Sequence, residues 1–219
     1  MTLTGDLFDV LPDCKPQQVR LGEGALILCG FVRETDDVLL REIDAVAVKA
    51  PFRHMITPGG YRMSVAMSNC GTIGWVSDRS GYRYAGADPE TGRAWPVMPA
   101  LFLDVAKRAA VCAGFENFVP DACLINLYLP GTRLSLHQDK NEQDASAPIV
   151  SVSLGLPAVF LFGGAQRNIR PRRYPLLHGD VAVWGGPARF NFHGILPIAA
   201  GHHPLLGSRR INLTFRKAL

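Results

Sequence analysis

Charge is scarce in this chain. Asp, Glu, Lys and Arg make up 19% of its 219 residues, against 47% hydrophobic residues. That balance excludes a disordered chain, which has many charges and little to bury. Cysteine is also sparse. Cys14, Cys29, Cys70, Cys112 and Cys123 are odd in number, widely spread and lack a Cys-x-x-Cys pair. A disulfide framework and a zinc knuckle are thereby excluded, and a reducing compartment is the natural setting. Cys112 and Cys123 sit among apolar residues and read as small core residues. The longest clean apolar run, around Ala25 to Val32, is too short to span a bilayer. Met1-Thr2-Leu3-Thr4-Gly5-Asp6 has no basic region leading into an apolar stretch, so no secretory signal is expected. There are no repeats, no low-complexity tract, no interdomain linker and no clear Ser-His-Asp set. These absences predict a soluble, cytoplasmic protein with no membrane role, folded as a single domain over 1–219. The net charge of +4 permits an anionic partner without requiring one.

Two segments have helical periodicity. Leu39, Leu40, Ile43, Val46 and Ala47 recur along Asp36–Ala50, with Thr35 or Asp36 available as the cap. Phe102, Val105, Ala109 and Cys112 line one face of Pro99–Ala113, where Pro99 suits the first turn and Gly114 the stop. After Gly114 the texture changes to short apolar runs bounded by Gly, Pro or Asn. Candidate strands are Ala122–Leu129, Arg133–His137, Ile149–Leu154, Ala158–Phe162, Arg172–Leu177, Val181–Trp184, Phe190–His193 and Arg210–Arg216. Short strands at this spacing predict a mainly β, α+β domain: a sandwich or double-sheet jelly roll over 122–216, with the two helices covering one sheet. Segment 51–85 is rich in Gly, Met and aromatic residues. It reads as a loop-rich cover with a few strands, or as an adaptable lid with rings for stacking on a flat substrate. The first fifty or so residues read as scaffold.

The chemistry concentrates in His137-Gln138-Asp139, His193, Arg210 and Arg216. On an extended segment, residues two apart point the same way. His137 and Asp139 can therefore approach one ion together, with Gln138 turned away and His193 arriving from another strand. Two imidazoles and one carboxylate occupy one face of an octahedral ion and leave open positions, which suits Fe(II) and oxygen chemistry. A His-x-Asp pattern alone is weak evidence. A second copy, His178-Gly179-Asp180, directly precedes the apolar run Val181-Ala182-Val183-Trp184 and reads as a turn entering a strand. Arg210 and Arg216 are six apart and share a side of their strand, interleaved with Ile211, Leu213 and Phe215. That side faces either solvent or an anionic cosubstrate; periodicity does not decide which.

Taken together, Thr57-Pro58-Gly59-Gly60-Tyr61, Ser64-Val65-Ala66-Met67, Leu124-Ile125-Asn126-Leu127-Tyr128, Leu136-His137-Gln138-Asp139-Lys140, Ser151-Val152-Ser153-Leu154-Gly155, His178-Gly179-Asp180 and Arg210-Ile211-Asn212-Leu213-Thr214-Phe215-Arg216 make the sequence resemble the AlkB family of DNA-repair dioxygenases, close to its bacterial members. The resemblance runs from about Pro51 to the C-terminus. It implies a double-stranded β-helix with a nucleotide-recognition lid over 51–85. It also implies one Fe(II) held by His137, Asp139 and His193, and 2-oxoglutarate, used with O2, held by Asn126, Tyr128, Arg210, Asn212 and Arg216. The guanidinium fork agrees with this, because it pairs with carboxylate through two parallel hydrogen bonds. For substrate the resemblance picks out Trp75, Tyr82, Arg83, Tyr84, Asn141 and Arg167. Trp75 would stack on an extruded base, with the His137 ring opposite.

The implied reaction is oxidative demethylation of N-alkylated bases, 1-methyladenine and 3-methylcytosine, in single-stranded DNA. RNA and duplex DNA are further candidates, and the acting species is a monomer. Arg167, Arg170, Arg172 and Arg173 form a basic run that suits either a solvated hairpin or phosphate contact. One position departs from the family. Asn141, followed by Glu142, stands where relatives usually carry an acid near the base edge, which leaves the base preference open. Competing readings are an RNA- or tRNA-modifying or protein-hydroxylating oxygenase, a nucleic-acid-binding module with a silent site, and a jelly-roll metal protein of another kind. The last would leave Arg210 and Arg216 without a purpose.

Overall fold

The computed structural model describes residues 17–219. Cys14 and the N-terminal stretch read for a secretory signal lie outside the described residues. Among the described residues there are two α-helices, α1 (Asp36–Lys49) and α2 (Ala100–Cys112). The strands are β1 (Gln18–Gly22), β2 (Ala25–Leu28), β3 (Ala66–Gly71), β4 (Gly74–Asp78), β5 (Gly81–Ala85), β6 (Ala122–Tyr128), β7 (Leu134–His137), β8 (Ile149–Gly155), β9 (Ala158–Phe162), β10 (Arg172–Leu176), β11 (Val181–Trp184), β12 (His193–Ile195) and β13 (Arg210–Arg216). A seven-stranded sheet runs β1-β2-β11-β8-β13-β6-β3, and a four-stranded sheet runs β10-β9-β12-β7. The two sheets face each other as a jelly roll, and β4 and β5 form a separate hairpin.

The large sheet is buried on both faces, so its strands divide their side chains between two cores. Val150, Val152, Leu154, Ile211, Leu213 and Phe215 point to the helices, where Leu39, Ile43, Phe102, Val105 and Ala109 meet them. Leu124, Tyr128, Ile149, Ala182 and Trp184 point the other way, toward Phe160, Phe162 and Ile195 of the small sheet. The two helices therefore cover one sheet, as the periodicity predicts. Gly114, at φ 87°, ends α2: its N–H bonds Val111 O, and Phe115 N–H reaches Ala110 O. Thr35 precedes α1 without capping it; its hydroxyl bonds Val32 O instead.

All eight strand candidates are present, but one is displaced. Residues 190–192 do not form a strand. Gly186–Ala188 makes a 3-10 turn, and pairing starts only at His193. Phe190 and Phe192 mimic strand alternation, yet Phe190 is exposed in the turn. Within segment 51–85, β3 pairs with β6 at the edge of the large sheet, and β4 and β5 form a separate hairpin held to β3 through Asn69 and Trp75. The early residues also contribute, since β2 pairs with β11. No helix among the described residues is long and apolar enough to cross a membrane.

Candidate metal centre and cosubstrate pocket

The small sheet places the two histidines. β7 and β12 are antiparallel, and His137 lies directly opposite His193, so both rings project from one face with centroids 4.4 Å apart. Asp139 follows two residues beyond His137 and turns inward to the same point. His137 Nε2 is 3.5 Å from Asp139 Oδ1, and His193 Nε2 is 3.8 Å from Asp139 Oδ2. One ligand atom from each residue lies within 4.8 Å of the others. His137 Nδ1 bonds Ser135 O at 2.9 Å, and His193 Nδ1 bonds Asn191 O at 3.0 Å. These bonds assign the proton to Nδ1 in both rings and leave Nε2 as a lone-pair donor toward the cluster. Gln138 turns aside and donates to Phe190 O.

The charges are set to match. Burial works against an ionised Asp139, but the Arg216 guanidinium and then the two imidazoles hold its pKa well below the carboxylate range. Burial, followed by the charge of His137, lowers His193 to about 4 and keeps it neutral. Burial also opposes charge on His137, yet the hydrogen bond and charge of Asp139 outweigh it and raise its pKa. Arg216 donates Nε and Nη2 to one oxygen, Asp139 Oδ2, at 2.9 and 2.7 Å. Oδ1 stays clear of the guanidinium. A neutral His193 ring, a His137 ring that gives up its proton to an incoming cation, and a fixed carboxylate are a donor set suited to a divalent metal.

A cavity of about 510 Å³ extends from this cluster between the sheets. Its far wall comes from β6 and β13, where Arg210 pairs with Tyr128 and Asn212 with Asn126. Directly opposite residues share a face, so Asn126, Tyr128, Arg210, Asn212, Thr214 and Arg216 all line the cavity. Tertiary packing thus decides the question left open by periodicity: the polar side of β13 faces inward. Arg210 is only 1% exposed. Its guanidinium stands 4.8 Å over the Tyr128 ring, and Nη2 donates to Ser153 Oγ at 3.1 Å. Among the described residues its Nε and Nη1 have no hydrogen-bond partner, and Asn126 Oδ1 is likewise unpaired. A buried, half-unpaired guanidinium fork lining a cavity is the complement of a carboxylate. Asn212 differs. Its amide gives both donors to Ser151 Oγ and Val152 O, and its oxygen accepts from Asn126 and Thr214. Its hydrogen-bonding capacity is already filled, which makes it a brace for Asn126.

At the mouth, Trp75 of β4 and Tyr82 of β5 stack at 5.7 Å and 15°, and both line the cavity with Asn141. Asn69 of β3 fixes Trp75 by accepting from its N–H and donating to its carbonyl. The remaining residues picked out for substrate lie elsewhere. Arg83 folds back on Asp78 at 2.7 Å and does not line the cavity. Tyr84 is drawn behind the metal cluster, where its hydroxyl donates to Glu142 Oε1 at 2.6 Å. Arg167 is exposed, with its guanidinium 5.7 Å over the Phe192 ring.

Sequence reasoning missed the support around Asp139. Glu142 is buried and accepts from Tyr84 and from Arg189 Nη2 at 3.0 Å. Arg189 also donates to the backbone carbonyls of Asp139 and Ala147. A charged residue in a turn reads as solvated, so no local signal marks Arg189. The second His-x-Asp copy is a turn, as read: Asp180 accepts from Gly30 N and Leu177 N, and His178 accepts from Gly155 N and meets Asp36.

Comparison with known proteins bears on this site. A profile of the 2OG-Fe(II) oxygenase superfamily matches residues 24–216. The chain is 55% identical over 212 residues to the alpha-ketoglutarate-dependent dioxygenase AlkB of Escherichia coli (strain K12), covering 97% of this chain and 98% of that protein. It is 34% identical over 125 residues to the tRNA demethylase abh1 of Schizosaccharomyces pombe, covering 56% of this chain and 41% of that protein. The structure of OsALKBH1 superposes with a TM-score of 0.80 at 28% identity, covering 92% of this chain and 100% of that one.

Proposed function

This chain belongs to the 2OG-Fe(II) oxygenase superfamily and, within it, to the AlkB family of alpha-ketoglutarate-dependent dioxygenases, and from that premise we propose that it removes N-methyl groups from damaged bases in single-stranded DNA. The observation that carries the reading is the meeting, in one cavity, of three groups. These are the His137–Asp139–His193 cluster, the unpaired Arg210 fork and the stacked Trp75–Tyr82 pair. His137, Asp139 and His193 would hold Fe(II). Arg210, Tyr128 and Asn126 would hold 2-oxoglutarate, with Asn212 bracing Asn126 and Arg216 fixing the free oxygen of Asp139 toward the metal. Iron, 2-oxoglutarate and O2 together supply hydroxylation of the methyl carbon, with succinate, carbon dioxide and formaldehyde as products.

The chain's own work is positional. The Nδ1 bonds to Ser135 and Asn191 hold both imidazoles in the ligating tautomer. Arg216 keeps Asp139 ionised, and the apolar walls at Phe160 and Trp184 exclude water. Trp75 offers its face to an extruded base, with Tyr82 behind it and Asn141 at the cavity edge. A single strand spares the cost of unpairing that base.

RNA is a second reading, favoured by the similarity to a tRNA demethylase. The test is formaldehyde and succinate release from matched DNA and RNA oligonucleotides carrying 1-methyladenine or 3-methylcytosine, with and without Fe(II) and 2-oxoglutarate. We expect release from methylated DNA only when both are added. Iron-dependent 2-oxoglutarate turnover without release from either polymer would move the substrate to another class.

A further inference from the structure

The β9–β10 hairpin carries charge that the chemistry above leaves unused. No Asp or Glu occurs between Asp144 and Asp180, while Arg167, Arg170, Arg172 and Arg173 fall within seven positions. All four are exposed, and among the described residues no ion pair engages them. Strand register separates the two that are adjacent. Arg172 lies opposite Phe162, Phe162 opposite His193, and His193 opposite His137. Residues opposite one another share a face. Arg172 is thus the edge member of the row that holds both histidines of the metal cluster, on the face turned toward the cavity. Two strand spacings, roughly 10 Å, separate its backbone from that of His193. Arg173 lies opposite Leu161 on the outer face. Arg167 stands apart from this row, over the ring of Phe192, one residue before His193 in the chain.

We infer that Arg172 anchors a backbone phosphate of the strand whose base enters the cavity, whereas Arg173 is a solvated charge of the outer face. This rests on the nucleic-acid reading above and adds to it a contact and a direction of approach, over the β9–β10 hairpin. Arg172 is exposed, free of an ion pair among the described residues, and two strand spacings from His193 on the cavity-facing side of the sheet. Its chemistry is that of phosphate positioning, independent of base identity. Arg172 lies outside the metal and cosubstrate sites, so its removal leaves both intact.

The test uses Mn(II)- and 2-oxoglutarate-loaded protein and a labelled single-stranded nonamer with a central 3-methylcytosine. Anisotropy gives dissociation constants from 50 to 200 mM salt. Arg172→Ala should weaken binding about three- to fivefold at 50 mM, within the range of one exposed charge contact. Its log–log salt slope should be shallower by about 0.7, so the deficit shrinks about 2.6-fold by 200 mM. Arg173→Ala should track the wild type at every salt concentration. An unchanged slope in Arg172→Ala, or an equal change in Arg173→Ala, would overturn the inference. Formaldehyde release from the same nonamer by the Fe(II)-loaded wild type separates the two levels. Release with no Arg172 effect refutes the anchor alone. No release, with the Arg172 effect present, refutes the demethylation reading and leaves the anchor standing.

Discussion

Replacing Arg210 by methionine should weaken cosubstrate binding and at the same time stabilise the protein that lacks it. Arg210 is 1% exposed, and two of its guanidinium nitrogens have no hydrogen-bond partner among the described residues. Burial lowers its pKa, with the Tyr128 ring and hydroxyl as its main compensation. A buried charge without a full set of partners costs stability, and an apolar side chain of similar volume is often neutral or stabilising by about 1–4 kcal/mol. At about 2–4 °C per kcal/mol for a domain of this size, metal-free Arg210→Met should melt no lower than the wild type and up to several degrees higher. The affinity effect has the opposite sign. Removing one partner of a buried ion pair costs about 3–5 kcal/mol, a factor of roughly 10²–10³ or more in the 2-oxoglutarate dissociation constant. Arg210→Lys keeps the charge but loses the fork, so it should fall between the two. Calorimetric titration of 2-oxoglutarate into Mn(II)-loaded protein reads the affinity, and thermal melts of metal-free protein read the stability. The reasoning is refuted if Arg210→Met binds 2-oxoglutarate within threefold of the wild type. It is also refuted if the variant melts several degrees lower with affinity unchanged, since Arg210 would then be a structural post.

Asp139→Asn should abolish Mn(II) binding while keeping an acceptor for Arg216, and Asp180→Ala should bind Mn(II) normally but melt lower, because Gly30 N and Leu177 N each lose a partner at about 1 kcal/mol or more. Equal metal loss in both variants would show that the wrong His-x-Asp pair was chosen. Apparent metal affinity should fall as pH falls through the raised pKa of His137, by up to about tenfold per pH unit, because one proton must leave before the metal enters; His193, at about 4, adds nothing above pH 5. A flat profile down to pH 5 would contradict this order. Trp75→Ala should slow demethylation of both 1-methyladenine and 3-methylcytosine by about one to two orders of magnitude, the worth of one stacking contact. Asn141→Asp, on the same oligonucleotides, should change their ratio instead; an unchanged ratio would remove Asn141 from base selection.

Both helices fall within one residue of the ends expected from periodicity, because amphipathic spacing and the Gly114 stop are local properties. The same holds for β6, β8, β9, β11 and β13, where apolar runs meet clear turn residues. β1 and β3 escape notice for opposite reasons. β1 is a largely exposed edge strand with little alternation. β3, Ala-Met-Ser-Asn-Cys-Gly, is buried but carries Ser68 and Asn69, whose side chains bond Ala50 O and the Trp75 backbone. Polar letters in a buried strand look like a loop until their partners are known.

The metal cluster was legible in residue order, since a strand period of two is enough to bring His137 and Asp139 together and the two arginines onto one side. Which side of β13 faces inward, which arginine is spent on Asp139 and which is left unpaired, and that Glu142, held by Tyr84, ties Arg189 to the Asp139 backbone were decided only in three dimensions. Pairing β13 between β6 and β8, and packing Ile211, Leu213 and Phe215 against the helices, leaves Arg210 and Arg216 no direction but the cavity. Chain periodicity is set by the backbone within a few residues. The partner of a buried charge is set by whichever distant segment the fold brings opposite it, as His193 is brought to His137 across β12 and β7.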